Sequence, residues 1–128
     1  LIISIYSLSS NTPTLTAVAN DIDYESVFSF PLERYGEKGD ILICVSSSGN
    51  SPNIIKAIKT AKTLGMITVS FVGFSGGKAR DESDYSIHIP NENYGVVEDT
   101  HHSLMHILAQ YVRIMTLTDE EDLGNVVF

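Results

Sequence analysis

The 128-residue chain has a single cysteine, Cys44. It can form no internal disulfide, and that economy fits a reducing, cytoplasmic compartment. Positive charge is scarce: eight Lys and Arg stand against sixteen Asp and Glu, a formal net charge of −8. Phosphate-backbone binding needs clustered cations, so nucleic acid is not expected as a partner. A small phosphorylated ligand is not excluded, because a few oriented N–H and O–H donors hold one phosphate without cationic side chains. No apolar run approaches the roughly 20 residues of a membrane helix, so no membrane partner is expected. Repeats and low-complexity segments are absent too. The chain starts Leu1-Ile2-Ile3-Ser4-Ile5, without methionine. No basic stretch or cleavage site marks a signal peptide, and a segment preceding this mid-strand start is expected.

What is present suits one domain with a real core. Residues 1–8 read as a strand. Thr12-Pro13 opens a helix to about Asn20, capped by Asn11 or Thr12. A turn over 21–24 leads to a helical stretch over 25–35, interrupted at Pro31. Residues 41–45 are an apolar strand, and Pro52 opens a helix over 53–64 that Gly65 ends. Strand 66–73, a glycine-rich turn with one helical turn over 74–83, strand 85–89, loop 91–95 and a helix over 98–117 complete the series. This alternation predicts an α/β three-layer sandwich with a mostly parallel sheet. Leu104, Met105, Leu108, Val112 and Met115 form one stripe on the last helix, while Ile107, Ile114 and Leu117 lie off it. A helix apolar nearly all round is expected to be buried by another subunit, in a homodimer or homotetramer. Residues 119–128 form an acidic tail.

Three groups carry chemistry. Ser46, Ser47, Ser48 and Ser51 place four hydroxyls between a buried strand and a helix N-terminus, a setting for a phosphate or similar anion. The loop lacks the Gly-Lys-Ser/Thr end of the ATP-type loop and the spaced glycines of the dinucleotide fingerprint. A sugar phosphate or similar small anion remains, unless Ser51 merely caps an ordinary turn. Asn20 and Asp21 end the first helix at the carboxyl side of the first strand, where α/β ligands bind, although both also suit a helix C-terminus. Glu98, His101, His102 and His106 form the third group. His102 and His106 are one turn apart, which is zinc-ligand spacing, and the cluster suggests metal binding or proton transfer. His88 alternates with apolar residues and reads as structural.

Gly39-Asp40, the strand, Ser46-Ser47-Ser48-Gly49-Asn50-Ser51 and the Lys-rich helix to Gly65-Met66 resemble the SIS (sugar isomerase) domain. Asn20-Asp21, Gly76-Gly77-Lys78 and residues 98–106 resemble its phosphoheptose isomerase branch, over about residues 10–115. The resemblance implies a flavodoxin-like SIS domain over residues 1–118, without its N-terminal strand and helices. It implies aldose–ketose isomerisation of sedoheptulose 7-phosphate or a related sugar phosphate, for bacterial heptose and surface polysaccharide synthesis. Ser46, Ser47, Ser48 and Ser51 match the phosphate loop, and Asn20 and Asp21 the substrate pair. His106 matches a metal ligand and acid/base. Glu98 matches a position, usually glutamine, that touches substrate and metal. Zinc is implied, with Glu98, His106 and His102 as candidate ligands; no organic cofactor is. Gly95 stands where an aspartate is frequent. The competing reading is a non-catalytic SIS module that binds a phosphosugar or a protein partner as a regulator.

Overall fold

The apolar run of the sequence becomes β1 (Ile41–Ser46), one edge of a three-stranded parallel sheet ordered β1-β2-β3. In the computed structural model, which describes residues 4–116, β2 (Ile67–Val72) is the central strand and β3 (Tyr85–His88) the other edge. Ile41 pairs with Ile67 and Ser46 with Val72, while Val69 pairs with Tyr85 and Val72 with His88. Side chains alternate across a strand, so this register sets two faces. On one face Leu42, Cys44, Thr68, Ser70 and Val72 are buried. Both buried hydroxyls are satisfied: Thr68 Oγ1 donates to Asp84 and Ser70 Oγ to the Ala79 carbonyl.

That face is covered by α3 (Pro52–Thr63) and α4 (Gly77–Glu82), and the core joins Leu42, Cys44 and Val72 to Ile55, Ala57, Ile58, Ala61 and Ala79. Pro52 starts α3 where its missing N–H costs nothing. Lys56, Lys59 and Lys62 reach outward to Asp23, Glu82 and Asp84. Ile58 is completely buried, so Ile58→Ala would cost about 2–5 kcal/mol through lost transfer energy and the cavity left behind.

On the opposite face Ile41, Ile43, Val45, Ile67 and Ile87 are exposed. α5 (Tyr94–Thr116) closes only the carboxyl end of that face, burying Val97 and His101 near Phe71. Further along α5, Met105, Ile107, Leu108, Val112 and Met115 are exposed.

Several boundaries differ from the sequence reading. Residues 4–7 form no strand; Ile5 and Tyr6 are exposed, and without a pairing partner the backbone has no ladder to join. Residues 1–3 and the tail 119–128 lie outside the described residues. α1 (Thr12–Asp21) is capped by Asn11, whose side chain accepts from Thr14 N, and it includes Asp21. Pro31 does not interrupt the next helix. It is the third residue of α2 (Ser29–Tyr35), where the N–H has no helical acceptor to lose; the break falls earlier, after the 3₁₀ turn Tyr24–Ser26. The last helix starts at Tyr94, four residues before Glu98, so Glu98 lies inside it.

Candidate functional site

The serine loop leaves the carboxyl end of β1 and enters α3. Two backbone amides bond back to its own hydroxyls: Gly49 N donates to Ser46 Oγ (3.2 Å) and Asn50 N to Ser48 Oγ (3.3 Å). Each hydroxyl keeps its proton for another acceptor. Ser51 occupies the position before the helix in extended conformation, yet its side chain makes no capping bond. The sequence left open an ordinary capped turn; this hydroxyl is instead free of that task.

The loop is held by an unusually close turn. Gly49 has φ +65°, and a Cβ there would overlap the Gly76 carbonyl. Ala79 N donates to Gly49 O at 2.9 Å, and Lys78 N to Asn50 Oδ1 at 3.1 Å. Residues 76–79 therefore buttress the serine loop through one backbone–backbone bond and one bond to the Asn50 side chain.

Ser46, Ser47, Ser48, Ser51 and Glu98 line one cavity of about 440 Å³, within the usual size range of small-ligand sites. Ser47 Oγ donates to Glu98 Oε1 at 3.4 Å, across 51 residues of sequence. Phe28, Asn53 and Tyr94 also face this cavity and were missed from sequence. A smaller adjoining cavity of about 240 Å³ shares Val45, Ser47 and Glu98 and adds His101, His102 and Met105. His101 is 2% exposed, and neither ring nitrogen has a hydrogen-bond partner. Burial pushes its pKa below the ordinary imidazole value, outweighing the nearby Glu98 carboxylate, which favours the charged form.

The other candidate residues lie apart. Asn20 and Asp21 are exposed at the end of α1, where Asn20 Nδ2 donates to Asp21 Oδ1 at 2.8 Å; neither lines the two cavities. His106 is exposed on α5 and lines neither. It lies eight positions along the helix from Glu98, a rise of about 12 Å. Among the described residues no three His, Cys, Asp or Glu side chains gather as a metal site. Glu98 and His102, one turn apart, do not suffice by themselves.

The SIS domain family model matches residues 3–73. This chain belongs to the SIS domain family. The SIS chain is 43% identical over 110 residues to the phosphoheptose isomerase of Helicobacter pylori (strain P12), covering 86% of this chain and 57% of that protein. It is 39% identical over 106 residues to the Mycobacterium tuberculosis (strain ATCC 25177 / H37Ra) phosphoheptose isomerase, covering 83% and 54%. The structure of phosphoheptose isomerase from Neisseria gonorrhoeae superposes with a TM-score of 0.82 at 31% identity, covering 84% of this chain and 60% of that one. The chain thus spans a little over half the length of these relatives. Among the described residues no helix is long and apolar enough to cross a membrane.

Proposed function

We propose that this chain is the phosphosugar-binding part of an aldose–ketose isomerase acting on sedoheptulose 7-phosphate or a related sugar phosphate. The observation that carries this reading is the Glu98 carboxylate in the same cavity as Ser46, Ser47, Ser48 and Ser51. The serine hydroxyls and the N-terminus of α3 hold the phosphate. Glu98 then stands where a base can take a proton from the carbon next to the carbonyl while the carbonyl oxygen gains one, giving an enediol. The adjacent hydroxyl then loses its proton as the former carbonyl carbon takes one from the acid form of Glu98, which exchanges with solvent, with no net redox change. His106 takes part only where a second chain or further segment brings it to the substrate, because its own helix carries it away from Glu98. A zinc ion beside Glu98 and His102 would likewise need donors from outside the described residues, and the proton transfer proposed does not pass through it. The exposed apolar residues of α5 support a homo-oligomer. The lone buried Cys44 supports a cytoplasmic setting, and the relatives' name, phosphoheptose isomerase, supports a phosphorylated heptose as the sugar.

The test is turnover of sedoheptulose 7-phosphate by the intact full-length protein in D₂O, followed by NMR. Product formation with deuterium entering next to the carbonyl is expected. Phosphosugar binding without turnover, with and without added zinc, would assign the non-catalytic module instead.

A further inference from the structure

Phe74 is the one non-glycine residue among those described with a left-handed backbone, φ +49°. A bulky side chain enters that region only when its surroundings hold it there, and such residues gather at functional sites. Here the holding groups are explicit. Phe74 N donates to Asn91 O at 3.0 Å, and His88 Nε2 lies 2.8 Å from Phe74 O. The outcome of this arrangement is a ring contact: Phe74 and Tyr94 pack with centroids 4.7 Å apart and planes inclined at 59°. Tyr94 is 59% exposed and forms part of the cavity wall with the four serines and Glu98. A large exposed aromatic ring, immobilised by a strained neighbour and turned to a polar cavity, presents an apolar face and a hydroxyl together.

We propose that Tyr94 is a specificity-determining residue that reads the carbon chain of a phosphosugar beyond its phosphate, with Phe74 as its positioning residue. This rests on the phosphosugar reading of the serine loop. The phosphate sits on the serines. The ring of Tyr94 packs on the C–H face of the polyol, and its phenol hydrogen-bonds a chain hydroxyl. Short phosphorylated compounds that do not extend past the loop gain nothing from it.

The experiment measures binding of inorganic phosphate, glycerol phosphate and a seven-carbon ketose phosphate to the intact protein, its Tyr94→Ala and Phe74→Ala variants and the double variant. Tyr94→Ala is expected to weaken the seven-carbon ligand about five- to tenfold, the worth of one aromatic contact, while phosphate and glycerol phosphate change less than about twofold. Phe74→Ala should give the same selective loss, Phe74→Tyr should restore it, and the double variant should lose no more than either single one. Circular dichroism melts check that each variant is folded. Equal weakening of all three ligands, or no change for the seven-carbon one, overturns the proposal. Failure of the unmodified protein to bind any of them removes the phosphosugar reading itself, and this proposal with it.

Discussion

The side-chain carbonyl of Asn50 accepts the backbone N–H of Lys78 at 3.1 Å, tying the serine loop to the turn that buttresses it. The same side chain donates through Nδ2 to Ser48 O at 3.2 Å. Asn50 is thus a strut between two loops 28 residues apart in sequence. Asn50→Ala removes both bonds and should lower stability by about 1–2 kcal/mol in denaturant titration. It should also weaken inorganic phosphate several-fold, because the hydroxyls lose their fixed spacing. Asn50→Asp should be worse for phosphate, since it replaces a donor by an acceptor and adds a negative charge. Unchanged phosphate affinity in both variants would remove the strut from the account.

Gly49 answers to a stricter demand. Its φ of +65° and the adjacent Gly76 carbonyl leave no space for a side chain. Gly49→Ala should therefore cost about 2–4 kcal/mol, from backbone strain and overpacking together. A melting temperature within a degree of the unmodified protein would show that the two loops separate freely.

Ser51 separates a structural from a binding role. A serine that caps a helix typically contributes about 1 kcal/mol. Its side chain makes no capping bond here, so Ser51→Ala should change stability by less than about 0.5 kcal/mol. Phosphate affinity, in contrast, should fall about three- to tenfold with the loss of one hydroxyl donor to an anion. Loss of stability with unchanged phosphate binding would return Ser51 to the ordinary cap that its sequence position suggests.

These contrasts mark what a sequence can reveal. Pro52 and Gly65 bracket α3, and the apolar spacing between them points to the buried Ile55, Ile58 and Ala61. Local chemistry fixes these, so they were legible. Tyr94 was not. Asn91, Asn93 and Gly95 read as a loop, yet Asn93 Oδ1 accepts Val96 N at 3.3 Å and Asn93 O accepts Val97 N at 3.0 Å, which starts α5 there. The same asparagine that suits a turn suits a helix cap, and only the packing of Val97 and His101 near Phe71 decides between them. The pairing of Ser47 with Glu98 was equally hidden, because nothing local spans 51 residues. The resemblance placed both in one site, whereas composition and spacing could not.

Asp84 gives the fold an acid-sensitive joint. Its carboxylate accepts the hydroxyl and the backbone N–H of Thr68 at 2.7 and 2.8 Å, and the Lys62 ammonium lies 3.4 Å away. The Thr68 hydrogen bonds, helped by Lys62, hold its pKa below the ordinary carboxylate value. The folded chain therefore releases this proton more readily than the unfolded one. Its stabilisation is complete above the unfolded value, near pH 4, and drains away as pH falls through the lower folded value. Asp84→Asn should lower the melting temperature at pH 7 and flatten its decline below about pH 4. A variant whose decline matches the unmodified protein would place the acid sensitivity elsewhere; Asp23, held low by its bonds to Ser26, is the next group to change.

Cys44 offers a chemical readout of core opening. It lies in β1 with 5% of its surface exposed, and burial pushes its pKa up to about 12. The thiolate is the reactive form, so the native thiol is both shielded and protonated at pH 8. An aromatic disulfide reagent should label it at pH 8 only as fast as the sheet and α3 separate, and immediately in denaturant. Ile58→Ala, which weakens the same core, should speed labelling, whereas Ser51→Ala should not. Where opening and closing outpace the reagent, labelling tracks the equilibrium open fraction, and a loss of 1.4 kcal/mol raises the rate about tenfold. Rapid labelling of the native protein, independent of Ile58, would mean that this face of the sheet is open to solvent.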